Sequence, residues 1–212
     1  MAVKVVAKGA EADLILDEDW NGRRAIIKRR GPKKYRHPDI DGEIRRTRTV
    51  HESEIIHRAK EAGVPTPLIY QVDTADTSIV MEYVEGFKVR NLVPTSSIED
   101  NVSLFRLIGR EAGMLHAAGV IHGDLTTSNM IKSGDRVFFI DFGLGEVSWE
   151  TEKRGVDVNL MRRMLSSTHY AVQDELSTAF DAGYREALGP EAEEVLQRVE
   201  EIRKRGRYVD KD

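Results

Sequence analysis

Apolar residues follow two different periods along this chain, and the change from one to the other outlines a fold. Residues 3–7 alternate weakly and Leu14-Ile15-Leu16 is a short apolar run, which predicts two paired strands around a Lys8-Gly9-Ala10-Glu11-Ala12 turn. Arg24-Ala25-Ile26-Ile27-Lys28 reads as a third strand ending in a basic residue. Over residues 41–62, Val50, Ile55, Ile56 and Ala59 supply one apolar helical face, and Gly63, Pro65 and Pro67 stop it. Residues 68–72 and 78–84 predict a second hairpin. After Gly86 the period becomes helical, with Leu104, Leu107, Ile108, Ala112 and Leu115 on one face of residues 101–118. Met130-Ile131 and residues 137–140 read as two short buried strands joined by a Ser-Gly-Asp turn. A further helix begins at Val156, and two more cover 174–188 and 191–204 on either side of Gly189-Pro190. The strand-rich first part and helix-rich second part make the chain α+β, with a natural boundary near Gly86 that separates residues 1–85 from 86–212.

At 212 residues the chain is long enough for one large domain or two small lobes with a real core. It has no cysteine, which excludes disulfides, thiolate chemistry and sulfur-ligated zinc. The start lacks a long apolar stretch and no run approaches the length of a membrane span, so a cytoplasmic protein without membrane attachment is expected. A net charge of −4 argues against a generic nucleic-acid binder. The distribution changes that picture. Residues 23–48 hold eleven Lys and Arg against three acids, and a second basic cluster, RKRGR, lies at 203–207. Such stretches suit RNA phosphates, although charged faces are commonly just solvated.

The chemistry concentrates in IHGDLTTSNMIKSGDRVFFIDFGLG, residues 121–145. Asp124 opens Asp-Leu-Thr-Thr-Ser-Asn with Asn129 five places on, and Asp141 opens Asp-Phe-Gly. The hairpin between them would bring Asp124, Asn129 and Asp141 to one end of one element. Phosphoryl transfer from a nucleotide uses that set: a carboxylate to orient the attacking oxygen, and an Asn and an Asp to hold magnesium. The spacing resembles the catalytic loop and Asp-Phe-Gly of protein kinases.

That resemblance implies a reduced bilobal kinase-like fold: an antiparallel N-terminal sheet with one helix, then a small, mainly helical C-terminal lobe. It implies ATP and Mg2+ as cofactors, with Asp124, Lys28 and Asn129 catalytic, and Asn129 and Asp141 on the metal. Lys28 would reach the α- and β-phosphates, with Ala25 roofing the adenine and Gly9 in the loop over the phosphates. A helix glutamate should hold Lys28. Glu52 and Glu54 are the candidates, and Glu52 is chosen because it borders the packed face one turn before Ile55-Ile56. Met81 would take the gatekeeper place, the Glu82 carbonyl and Val84 amide would read the adenine, and Ile131 and Ile140 would line its floor. Asp157 is either the cap of the helix starting near Val156 or a ligand of the catalytic-loop backbone.

Several departures narrow the resemblance. Gly123 stands where kinases usually place an Arg between the catalytic His and Asp, only eleven residues separate Gly145 from Asp157, and no Ala-Pro-Glu follows. With Gly-Ala-Glu-Ala at 9–12, Glu-Ser-Glu-Ile-Ile-His-Arg-Ala at 52–59, Val-Pro-Thr-Pro at 64–67 and the 203–207 tail, the chain is similar to one family. That family is the small atypical Ser/Thr kinase or ATPase of the KEOPS tRNA-modification complex, also described as the p53-related protein kinase family, in an archaeal-type form. The resemblance implies the tRNA threonylcarbamoyladenosine synthase subunit and a small KEOPS subunit as partners, with tRNA contact through 23–48 and 203–207. Two other readings stand beside it: a small-molecule phosphotransferase of the aminoglycoside type, which also uses His-Gly-Asp, and a nucleotide-binding regulatory subunit with little turnover.

Overall fold

The computed structural model describes residues 3–9 and 11–209, the last four of these (206–209) without their side chains, so the expected basic cluster at 203–207 is described in full only to Arg205. The first part of the chain contains β1 (Val3–Lys8), β2 (Asp13–Trp20), β3 (Arg23–Arg29), β4 (Ile69–Asp73) and β5 (Ser78–Glu82). They form one antiparallel sheet in the order β1-β2-β3-β5-β4. Leu14 lies opposite Lys28, and Ile26 lies opposite Met81. Opposed residues share a face and successive residues alternate. Leu14, Ile26, Lys28 and Met81 therefore point to one side, and Ala25 to the other.

Between β3 and β4 runs α1 (Pro38–Glu61), three residues longer at its start than the apolar pattern indicates. Pro38 opens it, a position where a missing N–H costs nothing and φ is already helical. Its inward face carries Glu52, Ile55, Ile56 and Ala59, all buried. These apolar side chains belong to the same continuous core as Phe105, Leu115, Phe139, Phe142, Met161 and Tyr184 of the second part. Each fully buried large side chain contributes about 1.5–3 kcal/mol, so α1 is anchored to both halves.

The second part opens with β6 (Phe87–Lys88) and a single turn, α2 (Val89–Leu92), before α3 (Ile98–Ala117). Ser97 caps α3 by accepting the Asp100 N–H at 3.1 Å. Then come β7 (Val120–Ile121), β8 (Met130–Ser133), β9 (Arg136–Phe139) and β10 (Glu146–Val147). β8 pairs with both β6 and β9, and β7 pairs with β10. The helices α4 (Thr151–Thr168), α5 (Gln173–Leu188) and α6 (Glu191–Val209) complete the fold. α3 and α5 cross with backbones nearly touching: a Cβ on Gly109 would sit 2.0 Å from the Phe180 oxygen, and one on Gly183 1.9 Å from the Arg106 oxygen. Among the described residues, no helix is long and apolar enough to cross a membrane.

Candidate active site

Lys28 sits at the junction of the two parts. Its ammonium donates to Glu52 Oε1 at 2.6 Å and to Asp141 Oδ1 at 2.7 Å. Glu52 is 1% exposed, whereas Glu54, two residues on along the same helix, faces solvent. The second oxygen of Glu52 accepts Arg30 Nη2 at 2.5 Å, and Arg30 is 2% exposed. The basic, Pro/Gly-rich segment 29–39 reads in sequence as a loop outside the core. Its second residue, Arg30, is instead buried, because Glu52 offers a carboxylate with an oxygen to spare. Two cations and two carboxylates balance at this point, which is what lets the charges leave water.

Asp141 follows β9 and adopts φ +63°, a left-handed conformation that costs an ordinary side chain about 1–3 kcal/mol and that Asp tolerates better than most. Burial works against its charge, but the Lys28 ammonium outweighs it and holds the carboxyl below the usual carboxylate range. Both of its contacts, from Lys28 Nζ at 2.7 Å and from the Gly143 N–H at 3.4 Å, fall on Oδ1. Oδ2 is left for a cation.

The loop between β7 and β8 carries Asp124 and Asn129. Asn129 Nδ2 donates to Asp124 Oδ2 at 2.7 Å and to the Asp124 carbonyl at 3.1 Å. These bonds use the amide nitrogen and leave Oδ1 as the atom that can meet a metal. The loop is clamped from behind by Asp157, which accepts the N–H groups of His122 at 2.7 Å and Gly123 at 2.9 Å. α4 begins at Thr151, so Asp157 is interior to it and caps nothing. His116 Nε2 meets the same carboxylate at 3.2 Å, and its Nδ1 lies 2.7 Å from the Tyr184 hydroxyl. Burial opposes ionisation of Asp157, but the His116 contact and the loop N–H groups win and lower its pKa. His122 moves the other way: burial outweighs the surrounding carboxylates and lowers its pKa.

Gly123 explains the missing arginine of the loop. Its φ is +81°, and a Cβ there would sit 2.1 Å from the Leu144 carbonyl. No side chain fits.

Two cavities meet at Lys28 and Asp141. One, of about 200 Å3, is mainly apolar: Leu14, Ile26 and Met81 of the sheet face Ile131 and Ile140, with Pro67 alongside. Glu82 and Val84, at the end of β5 and just beyond, also line it, as do Asn129 and Glu52. The other, of about 260 Å3, lies under the β1–β2 turn with Gly9, Asp124 and Gly143 in its wall. Ala25 lines neither. It is fully buried on the opposite face of β3, and Ile26, two residues before Lys28, takes the place that sequence reasoning gave to Ala25. Strand alternation alone would have signalled this: residues 26 and 28 share a face, 25 and 28 do not. Arg30, His116 and Tyr184 were also missed. Nothing in a lone Arg, His or Tyr marks it as the partner of a distant carboxylate.

Comparison with known proteins shows the family and the fold. A model of the RIO domain matches residues 23–151. The chain is 41% identical over 213 residues to the KEOPS complex subunit Bud32 of Pyrococcus abyssi, a match that covers 97% of this chain and 96% of that protein. It is 42% identical over 206 residues to a probable bifunctional tRNA threonylcarbamoyladenosine biosynthesis protein of Methanosarcina mazei, covering 97% of this chain but 36% of that protein. The chain thus spans about a third of the length of that bifunctional relative. Among solved structures, the Rio2 kinase–ADP/Mg2+–phosphoaspartate complex from Chaetomium thermophilum shares the fold, with a TM-score of 0.64 at 18% identity over 97% of this chain and 72% of that one.

Proposed function

This chain belongs to the RIO-domain family, among the Bud32 subunits of KEOPS, and on that premise we propose that it is a magnesium-dependent ATP phosphotransferase or ATPase within a tRNA threonylcarbamoyladenosine-forming complex. The observation that carries the reading is Lys28, held between Glu52 and Asp141 where an apolar cavity opens into one walled by Asp124. An adenine fits the first cavity, sandwiched between Leu14 and Ile26 on one side and Ile131 on the other, with the backbone of Glu82 and Val84 at its edge. The phosphates fall to the second, beneath the Gly9 turn.

The donor set also fits magnesium. Among the described residues no three His, Asp or Glu side chains group as a metal site. Mg2+ needs no such cage, because it takes one or two protein oxygens and completes its shell with phosphates and water. Asp141 and Asn129 would hold it through their uncommitted oxygens. When bound, the ion supplies neutralisation of charge on the β- and γ-phosphate oxygens.

The chain's own residues do the rest. Lys28, fixed by Glu52, presents one positive charge to the α- and β-phosphates. Asp124, oriented by Asn129, accepts the proton of the attacking oxygen, which belongs to a protein Ser or Thr or to water. Asp157 keeps the loop rigid so that Asp124 stays aimed. The KEOPS synthase subunit and a small KEOPS subunit are the proposed partners, the basic 23–48 stretch and the 203–207 tail the proposed tRNA contacts, and the cytoplasm the proposed setting. Fluorescent-nucleotide titration with and without Mg2+ tests the site. Binding lost in Lys28→Met and metal dependence lost in Asp141→Asn are expected. Binding unchanged in both would remove it.

A further inference from the structure

Glu52 is held by two cations, and the nucleotide reading uses one. Arg30 occupies the other oxygen at 2.5 Å, is 2% exposed, and leaves Nε and Nη1 without a hydrogen-bond partner. It also lines a separate cavity of about 160 Å3, together with Lys33, Arg36, Arg45 and Arg48. The lining acid Glu11, and Asp41, which pairs with two of the lining arginines, are already engaged. Asp41 accepts Arg45 Nε at 2.8 Å and Arg36 Nη1 at 3.5 Å, and Glu11 pairs with Arg48. Four arginines, Arg30, Arg36, Arg45 and Arg48, therefore share Glu11, Asp41 and one oxygen of Glu52, which leaves positive charge in excess around a concave site. Buried guanidinium donors are rarely left unused, and arginine clusters of this kind suit tetrahedral oxyanions.

We propose that this cavity binds a phosphate group, free or carried on an RNA backbone, and that Arg30 links its occupancy to the Lys28–Glu52 pair. The link rests on Lys28 being the nucleotide-binding lysine. A phosphate beside Arg30 gives the guanidinium a second anchor while Nη2 remains on Glu52. Glu52 is then fixed where its other oxygen meets Lys28. By linkage, phosphate and nucleotide strengthen each other's binding by the same factor.

Calorimetric titration of the full chain at constant ionic strength tests this. Inorganic phosphate and a short RNA hairpin are the two probes, each added with the cleft filled by Mg2+ and a non-hydrolysable ATP analogue. Saturable binding of inorganic phosphate identifies a free phosphate ligand, and binding of the hairpin alone identifies a backbone phosphodiester. In either case Arg36→Gln/Arg48→Gln should weaken the probe about tenfold or more and leave the analogue's affinity measured without the probe unchanged. The probe should also raise the analogue's affinity about fivefold, a gain lost in Arg30→Lys. No binding of either probe, or equal binding by wild type and the double variant, overturns the site, and it does so whether or not Arg30→Lys folds. Binding without any gain in analogue affinity overturns the link. Failure of the wild type to bind the analogue at all would instead remove the reading of Lys28.

Discussion

Lys28 and Asp141 are 113 residues apart in sequence and 2.7 Å apart in space, with the ammonium of β3 on the carboxylate that follows β9. That contact joins the strand sheet to the helical part where the mainly apolar cavity and the cavity under the β1–β2 turn meet. Glu52 makes the arrangement rigid from α1, and Arg30 doubles the hold.

Removing the central carboxylate should cost both fold and function. Glu52→Gln leaves Arg30 buried without its counter-charge and Lys28 with Asp141 alone, and breaking a buried pair costs about 3–5 kcal/mol. Thermal unfolding should drop by roughly 2–4 °C per kcal/mol for a chain of this size. Glu54→Gln, on the exposed side of the same helix, should move the midpoint by less than about 2 °C.

Asp157→Ala should uncouple the loop from α4. It strips the His122 and Gly123 N–H groups and His116 of their acceptor, and each orphaned buried donor costs about 1–3 kcal/mol. Urea denaturation should show the loss, and turnover should fall while nucleotide affinity changes little. Nucleotide affinity falling as far as turnover would mean that Asp157 serves the cleft as a whole and not the loop.

The loop glycine cannot be exchanged for the arginine that protein kinases usually carry there. At φ +81°, with the Leu144 oxygen 2.1 Å from any Cβ, Gly123→Arg should destabilise the chain by more than about 2 kcal/mol through backbone strain and clash. Chemical denaturation checks it. A variant as stable as wild type would show that the loop relaxes.

These three sites show what the sequence reveals and what it hides. Asp124, Asn129 and Asp141 are legible because a short hairpin fixes their spacing, and Glu52 because its neighbours Ile55 and Ile56 give the helix a direction. The register of the adenine roof is lost by one residue at Ala25, because the Ala-Ile-Ile-Lys run matches the kinase pattern by composition while alternation decides the face. The start of α4 is missed because Thr151 to Gly155 has no apolar period, and Gly155 packs instead on the aliphatic stem of Arg198. Arg30 is hidden for a physical reason: only the fold supplies the carboxylate that makes its burial affordable. The two-residue strands β6, β7 and β10 are too short for any period to register.

Glu111 gives a pH test independent of the site. Burial raises its pKa from 4.5 to about 8, against the pull of Arg110 and Arg136. The folded chain holds this proton more tightly than the unfolded one, so stability falls as pH rises above the unfolded value and levels off beyond about 8. Glu111→Gln removes that loss. Its midpoint should gain on wild type between pH 5 and pH 8, and a constant difference would contradict the assignment.

The central claim is that Asp124 and Asp141 carry phosphoryl transfer from ATP. Incubation with γ-labelled ATP and Mg2+, alone and with partner subunit and tRNA, following free phosphate and protein-bound label together, tests it most directly. Wild type should release or transfer label, and Asp124→Asn and Asp141→Asn should each reduce this by about 100-fold or more while remaining folded. Either variant turning over ATP at the wild-type rate would contradict the account.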